Sequence, residues 1–206
     1  MSHDQATEQT LKEHRDHHLM TAQRLSEGLG TPGLKVIEVT THLKGLPSGD
    51  FTGVSGRGDY EAGHIPGAYY LDLQQDLSDT GSDFRFTVPS VAQFEAVMRH
   101  AGIAESDTVV VNAANHPMWA CRAWWLFKVF GHERVLVLDG GLPAWQAQGF
   151  ALSTDQGSVP ASAYQARFHP EMVTDGAALS AQLSDPSLCL LNALSTQQFD
   201  GRGPHY

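Results

Sequence analysis

Residues 119–150 carry the pattern that most restricts the fold of this chain. From Ala120 to Phe130 the sequence is apolar except at Arg122 and Lys128, which predicts a helix buried against a sheet. Gly131 ends this helix, and the apolar, β-branched run from Val135 to Leu138 is typical of a strand covered on both faces. A buried helix followed directly by a buried strand indicates a sheet between layers of helices.

A second helix is expected after that strand. Asp139-Gly140-Gly141 predicts a turn, and Pro143 lies where a first helical turn tolerates a missing N–H. Ala144 to Gln148 is therefore predicted to be helical, with Gly149 closing the helix. Residues 119–150 thus form a unit of helix, strand, turn and helix.

The chain before this unit also alternates between strands and helices. Residues 43–59 are rich in Gly, Ser and Pro and are expected to be loop, with Arg57-Gly58-Asp59 as a tight turn rather than a cell-attachment signal. The alternation predicts an α/β fold with a doubly wound, mainly parallel sheet flanked by helices. The predicted elements are a helix from Met20 to Gly30, strands over Leu34–Val39 and Tyr69–Leu73, a helix from the capping box Ser90-Val91-Ala92-Gln93 to Gly102, and a strand over Thr108–Asn112.

Charge and composition narrow the choice of partners. The 13 basic and 23 acidic residues give a net charge of −10 without a basic cluster, which argues against nucleic acid and anionic membranes. No segment approaches the roughly 20 apolar residues that cross a bilayer, and the first residues lack the apolar core of a signal peptide. A cytoplasmic protein is therefore expected. Cys121 and Cys189 lie in apolar runs, which predicts reduced, buried thiols.

In a sheet of this kind the functional site lies beyond the carboxyl ends of the strands, where helix N-termini point. The loop from Ala113 to Met118, which follows the strand over 108–112, is therefore the candidate site. His64 lies in the rigid turn Glu61–Ala68, but no carboxylate or nucleophile is fixed beside it in the sequence. A structural role is expected for His64, with both ring nitrogens bonded to the backbone.

Three histidines near the N-terminus raise the question of a metal site. His14, His17 and His18 would share one face of a helix, and imidazoles at such spacing can hold a divalent cation. No carboxylate or cysteine completes a motif there, and a solvated tail explains the same residues. Neither a metal nor a cofactor is therefore predicted.

Three motifs in the same order resemble one known family. They are Glu61-Ala62-Gly63-His64-Ile65-Pro66-Gly67-Ala68, Arg122-Ala123-Trp124-Trp125 and Leu138-Asp139-Gly140-Gly141-Leu142-Pro143-Ala144-Trp145. Over residues 19–152 the chain is similar to the N-terminal domain of the tandem rhodaneses, the thiosulfate and 3-mercaptopyruvate sulfurtransferases. The resemblance implies a rhodanese-like fold and an association with sulfur transfer through a cysteine persulfide. It also implies a structural first domain and a second domain that carries the cysteine.

The resemblance divides the chain into four parts. Residues 1–18 are a polar, His-rich tail, and residues 19–152 are a rhodanese-like domain of the non-catalytic type. Residues 153–172 resemble the interdomain linker, rich in small and polar residues. Residues 173–206 resemble an incomplete second domain, with a helix over Thr174–Leu183 and a strand over Leu188–Leu191.

The candidate loop lacks a nucleophile. From Asn112 to Ala120 it contains no Cys, Ser or Thr, and Ala113 stands where the inactive domain of the family often has Asp. No residue is therefore predicted to be catalytic. Cys121 lies near a helix start that could activate a thiol, but family members use this step for packing, so a buried packing residue is expected. Cys189, in a predicted strand, is a weaker candidate.

Two basic residues of the long helix are candidates for binding an anionic substrate. Arg122 is the candidate retained, with Lys128 as a second, although a capping or snorkelling role is expected for both. In the second-domain segment the family shows Asp-Ala-Arg and a further Arg before Phe, whereas this chain has Asn192-Ala193-Leu194 and Gln198. An amide cannot supply the charge for a bidentate anion contact.

The sequence stops at Tyr206, about where a second turn like Gly63–Ala68 would begin, so the catalytic half is expected to be missing. A truncated pseudoenzyme that is inactive alone is therefore expected, with small anionic sulfur compounds as its only ligands and self-association through residues 173–206. The alternative is a catalytically dead binding module of rhodanese fold that holds an anion or a partner protein.

Overall fold

The computed structural model describes residues 15, 17–47, 51–156 and 159–202. The strands in this part are β1 (Leu19–Met20), β2 (Leu34–Glu38), β3 (Thr41–Gly45), β4 (Phe51–Ser55), β5 (Tyr69–Tyr70), β6 (Thr108–Asn112) and β7 (Val135–Leu138). The helices are α1 (Ala22–Gly28), α2 (Arg57–Ala62), α3 (Val91–His100), α4 (Pro117–Val129), α5 (Gly141–Ala147), α6 (Gly176–Gln182) and α7 (Thr196–Phe199). Pro170–Met172 forms a single 3₁₀ turn.

Five of the strands form one parallel sheet in the order β1-β7-β6-β2-β5. Because side chains alternate along a strand, the two faces carry different residues. Ile37, Val109 and Val111 belong to one apolar core, together with α3 and α4. Val36 and Val110 belong to the other, together with residues of α1 and α5. Helices thus cover both faces, which confirms the predicted α/β class with a mainly parallel sheet.

The second sheet corrects one prediction. Residues 43–59, expected to be loop, instead contain most of the antiparallel pair β3–β4 and the start of α2. Arg57-Gly58-Asp59 forms the first turn of α2 rather than a tight turn between loops. The segment has no apolar alternation because β3 and β4 lie outside the main sheet, and most of their residues are exposed or half-buried. The periodicity that indicates a strand is therefore missing.

The capping box predicted at the start of α3 is half formed. Ser90 accepts a hydrogen bond from the Gln93 N–H, as a helix N-cap does. The Gln93 side chain does not return to Ser90; its Nε2 donates to the Ser78 carbonyl at 2.8 Å and also reaches the carbonyls of Gln75 and Asp76. Gln93 therefore fastens the 72–78 segment to α3.

Residues 159–173 contact the core that contains α3 and α4. Tyr164 belongs to the core that contains α3 and α4, and Val173 packs against that core. The backbone N–H groups of Arg167 and His169 donate to the carbonyls of Phe130 and Val129, where α4 ends. We call residues 159–169 the strap. The strap closes one side of the domain.

The C-terminal segment differs from the prediction. Residues 188–191, expected to be a strand, have no regular structure, and Leu190 and Leu191 are exposed. No residue of α6 or α7 is buried. A strand at this position needs a neighbouring strand to satisfy its backbone, and among the described residues none lies beside it.

Candidate active-site loop

The candidate loop was predicted over residues 113–118. In the structure it comprises residues 113–116, because α4 begins at Pro117, and it joins β6 to α4 at the carboxyl edge of the main sheet. The turn before α5 approaches it closely, because the Leu142 N–H points at the Ala113 carbonyl at 3.4 Å. A Cβ on Gly141, whose φ is +58°, would lie 2.5 Å from that carbonyl oxygen. The Gly140-Gly141 turn therefore supports the loop from the adjacent strand.

Several backbone N–H groups of the loop are already bonded within the protein. The Ala114 N–H donates to Thr40 Oγ1 at 2.9 Å, and the His116 N–H donates to the Asn115 carboxamide oxygen at 2.7 Å. The Met118 N–H donates to His116 Nδ1 at 3.2 Å, which makes His116 the N-cap of α4. Pro117 at the first helical position has no N–H. An anion at a helix N-terminus needs free backbone N–H groups, and these N–H groups already donate within the protein.

The loop is also tied to the β3–β4 hairpin and α2. Asn115 Nδ2 donates to the Thr41 carbonyl at 2.8 Å and lies 3.4 Å from His42 Nδ1. His42 Nε2 lies 2.5 Å from an Asp59 carboxylate oxygen. Asp59 is thus engaged by His42, and Arg57 lies over the Tyr70 ring at 4.8 Å. The Arg57-Gly58-Asp59 tripeptide is built into the fold.

His64 has the structural role predicted for it. Its ring stacks on Tyr60 with centroids 3.8 Å apart and is fully buried. Nδ1 lies 2.6 Å from the Tyr60 carbonyl, and Nε2 lies 3.2 Å from the Asp155 carbonyl. Both ring nitrogens therefore face the backbone, and His64 holds the segment that follows α2 against residues 153–155.

Both cysteines are exposed free thiols, so their predicted burial is wrong. Helix α4 begins at Pro117 and turns Ala120, Ala123 and Phe127 towards the sheet, which leaves Cys121 on the outer side. Cys189 is exposed because the strand expected around it does not form. The apolar run in α4 suggested burial because this helix carries apolar side chains on its outer side as well as on its buried side.

Arg122 binds a loop on its own side of the sheet. Its Nη2 donates to the Phe86 carbonyl, and its guanidinium carbon lies 4.9 Å from the centre of the Trp125 ring. Burial lowers the pKa of Arg122 to about 10. Arg122 neither caps α4 nor snorkels to solvent; it clamps the loop around Phe86, the non-glycine residue with positive φ in the described part. Anion binding by Arg122 stays a prediction.

Lys128 binds the segment that follows α4 rather than capping the last turn of the helix. Its Nζ donates to the Glu133 carbonyl at 2.6 Å and lies 3.1 Å from the Glu133 carboxylate. The hydrogen bond from Lys128 and the positive charge of its ammonium group lower the pKa of Glu133. The ammonium group is therefore engaged beyond the end of α4, far along the helix from the candidate loop.

The N-terminal histidines are only partly described. His14 lies outside the described residues, while the rings of His17 and His18 meet edge to face at 4.8 Å. His18 also meets the Trp124 ring edge to face at 5.5 Å. In the described ranges there is no group of three or more His, Cys, Asp or Glu residues able to hold a metal ion.

A groove of about 600 Å³ lies beside the loop. Sequence reasoning missed the 83–86 segment, since a short polar and aromatic loop has no periodic signal. Gln198 reaches this groove from the C-terminal segment. The lining residues are mainly apolar and come from the hairpin, the 83–86 segment, the start of α4 and the C-terminal segment: Leu43, Phe51, Gly53, Asp83, Phe84, Arg85, Phe86, Met118, Trp119, Ala193, Leu194, Ser195 and Gln198.

No described helix is both long and apolar enough to span a membrane.

The sequence profile of the rhodanese-like domain matches residues 21–148. The chain is 35% identical over 187 residues to a probable 3-mercaptopyruvate sulfurtransferase of Pseudomonas aeruginosa, which covers 89% of this chain and 63% of that protein. It is 30% identical over 201 residues to thiosulfate/3-mercaptopyruvate sulfurtransferase 2 of Arabidopsis thaliana, which covers 87% of this chain and 57% of that protein.

The fold is similar to the crystal structure of SseA from Escherichia coli, described as a 3-mercaptopyruvate sulfotransferase with the rhodanese fold. The TM-score is 0.79 at 26% identity, over 88% of this chain and 67% of that one. The chain thus spans about three fifths of the length of the curated relatives that it matches.

Proposed function

The chain belongs to the rhodanese-like family, and from this premise we propose that residues 19–152 are the non-catalytic domain of a thiosulfate or 3-mercaptopyruvate sulfurtransferase. Residues 173–206 are the beginning of a second domain of the same kind. The names of the relatives support the reaction class, sulfur transfer. The chain by itself does not transfer sulfur.

The state of the candidate loop carries this proposal. In persulfide transfer a thiolate attacks the outer sulfur of thiosulfate, the sulfur–sulfur bond breaks, and sulfite leaves with the electron pair. This needs a thiolate and free donors that stabilise negative charge. Between Asn112 and Pro117 there is no thiol, and the N–H groups of Ala114, His116 and Met118 are bonded to side chains of the protein.

The exposure of Cys121 makes it the alternative nucleophile to be tested. A thiol that reaches solvent is open to the donor, unlike the buried residue that was expected. However, Cys121 is the fifth residue of α4, where its own N–H is within the helix ladder rather than free at the first turn. The free N–H groups of the first turn therefore do not reach the Cys121 sulfur's own position in the helix, and the helix offers its thiolate little direct stabilisation.

Activity and mass measurements test the proposal together. The purified chain is assayed for thiosulfate:cyanide and 3-mercaptopyruvate:cyanide sulfur transfer beside the double variant Cys121→Ala, Cys189→Ala, and we expect equal background rates. Intact-mass spectrometry after incubation with thiosulfate should show no added sulfur atom. An added sulfur on Cys121, with turnover lost in Cys121→Ala alone, would sink the non-catalytic assignment and place the reaction on α4.

The second candidate function is a binding module. The groove beside the loop favours it, because a cleft of this volume is within the range of ligand sites. Titration calorimetry with thiosulfate, sulfite and 3-mercaptopyruvate separates the possibilities: heat from these ions supports an anion site, and its absence supports a protein-binding surface. Two free thiols also fit a reducing compartment, so we assign the protein to the cytoplasm.

A further inference from the structure

Glu38 and Asn112 lie side by side beneath the candidate loop. They are the last residues of β2 and β6 and are partners in the register of the parallel sheet. Both are fully buried. By strand alternation both side chains point to the face that carries Val36 and Val110. Two polar side chains thus stand next to each other in an apolar layer.

Each of these side chains has an oxygen without a donor. Among the described residues, Glu38 Oε2 and the Asn112 carboxamide oxygen are buried and have no hydrogen-bond partner. Unpaired buried acceptors cost free energy, so a hydrogen between two adjacent acceptors would be strongly favoured. The hydrogen must come from a donor close to both oxygens.

The surrounding donors are committed elsewhere. Tyr60 and Tyr70 flank the pair from α2 and β5, but both hydroxyls donate to backbone carbonyls. The bonds are Thr40 Oγ1–H to Glu38 Oε1 (2.8 Å), the Tyr70 hydroxyl to the Thr40 carbonyl (2.9 Å), the Tyr60 hydroxyl to the Ala68 carbonyl (2.8 Å) and Asn112 Nδ2 to the Ile37 carbonyl (3.3 Å).

Two further ionisable groups act on Glu38 through space. His64 favours the carboxylate, but its ring nitrogens face the carbonyls of Tyr60 and Asp155. Asp59 favours the carboxylic acid and is paired with His42. Burial has the largest effect and raises the pKa of Glu38, against the lowering effects of the Thr40 hydrogen bond and of His64.

We propose that Glu38 holds a proton at neutral pH and that its hydroxyl donates to the Asn112 carboxamide oxygen. The proton completes a chain of hydrogen bonds from the loop into the sheet: the Ala114 N–H donates to Thr40, Thr40 donates to Glu38, and Glu38 donates to Asn112. This series of hydrogen bonds links β2 to β6 and fixes the position of the candidate loop relative to both strands. Loss of the proton leaves two bare acceptors facing each other and loosens the loop.

The direction of the pH dependence follows from the raised pKa. A carboxyl group that binds its proton more tightly in the folded protein adds stability that is fully present below its ordinary pKa of 4.5. This stability is lost as the pH rises through the folded-state pKa. The hydrogen bonds that hold the loop should therefore weaken as the pH rises. A glutamate in a salt bridge shows the opposite dependence, because it loses its stabilising effect as the pH falls.

The test follows the Glu38 carboxyl carbon by NMR in protein labelled with ¹³C at the glutamate side chains. Glu38→Gln identifies the resonance, and we expect that resonance to keep the shift of a carboxylic acid at about pH 7. A Glu38 resonance with the shift of a carboxylate at about pH 7 would overturn the proposal. A buried water would then be the donor to the Glu38 carboxylate and the Asn112 carboxamide oxygen.

Two variants distinguish a specific hydrogen bond between Glu38 and Asn112 from the effect of burying Glu38 alone. Gln at position 38 keeps the shape and supplies an N–H₂ donor, so Glu38→Gln should unfold at the same denaturant concentration as the parent protein or a higher one at about pH 7. Asn112→Ala removes the acceptor of the proton, so the Glu38 resonance should titrate at lower pH in this variant. An unchanged titration in Asn112→Ala, or strong destabilisation by Glu38→Gln, contradicts the pairing.

Discussion

Tyr164 and His132 are hydrogen-bonded inside the core, with the Tyr164 hydroxyl 3.2 Å from His132 Nδ1. His132 Nε2 lies 3.1 Å from the Asp107 carbonyl and must carry the hydrogen there, so Nδ1 accepts from the tyrosine. The two rings are nearly parallel, 15° apart. One buried pair thus connects the strap to the segment before β6 and to the residues that follow α4.

We predict that Tyr164→Phe destabilises the protein by about 1–3 kcal/mol, because it leaves Nδ1 of a buried histidine without a donor. The matched control is Tyr69→Phe, since no hydrogen bond of the Tyr69 hydroxyl is found among the described residues and the ring contact with His100 is kept. Denaturant unfolding of both variants measures the difference. Equal, small effects would mean that the Tyr164 hydroxyl contributes nothing to stability.

His132 should make the stability depend on pH. Burial lowers its pKa below the ordinary 6.5, against smaller raising effects of Asp107. The neutral ring is therefore favoured in the fold, and its contribution is present above pH 6.5 and is lost as the pH falls towards the folded-state pKa.

The variant His132→Gln isolates this contribution. The difference in unfolding free energy between the parent and His132→Gln should shrink as the pH is lowered through 6.5. His100→Gln, at an exposed position of α3, serves as the control and should show little change. A difference for His132→Gln that is constant with pH contradicts the prediction.

Proteolysis should occur later in the chain than the sequence suggested. The sequence predicts cleavage between Ser153 and Met172, with a stable fragment ending near Phe150. The structure instead holds the strap by buried Tyr164, and Arg99 donates to the Tyr164 carbonyl at 2.7 Å. We therefore expect chymotrypsin to cut first at the exposed apolar residues from Leu183 to Phe199 and to leave a fragment that retains the strap. Mass spectrometry identifies its end; a fragment ending near Phe150 restores the first expectation.

The parts of the fold that could be predicted from sequence bury apolar side chains in a regular pattern. Strands β6 and β7 have the predicted bounds, Thr108–Asn112 and Val135–Leu138, because an apolar run flanked by turns has few alternatives. The strap could not be predicted. It is held by backbone N–H groups, one arginine and Tyr164, and such contacts leave no periodic trace in a stretch of small and polar residues.

The candidate loop shows the same limit. Its position followed from the order of strands and helices, and its lack of a nucleophile was visible in the residues themselves. The capping of Met118 by His116 and the support of Ala114 by Thr40 were not visible, because they depend on partners brought together by folding. The outward direction of Cys121 likewise depends on the start of α4 at Pro117, three residues before the predicted start at Ala120.

Self-association is expected through the C-terminal segment. Five large apolar side chains there are more than half exposed, and monomeric proteins rarely expose contiguous apolar patches larger than a few hundred Å². These side chains are Leu183, Leu190, Leu191, Leu194 and Phe199.

Light scattering after size exclusion should therefore show a concentration-dependent dimer. The double variant Leu190→Ser, Leu191→Ser should weaken the dimer by at least about tenfold, the loss expected from removing central apolar contacts. Val91→Ser, a similar change at an exposed position of α3, should leave it unchanged. A monomer at all concentrations would exclude a second copy as the partner of this surface.

His116 determines how the helix that follows the candidate loop begins. Its Nδ1 accepts from the Met118 N–H, so removal of the ring leaves that donor without a partner. His116→Ala should cost about 1 kcal/mol of stability, the usual effect of losing an N-cap. His116→Asn supplies a carboxamide oxygen at the same position and should recover most of the loss. Both effects are measured by denaturant unfolding, with His100→Ala as the control. If alanine and asparagine at position 116 are equally stable, the imidazole is not the cap of α4. The Met118 N–H would then be open to an external anion, which would remove one support for the non-catalytic assignment.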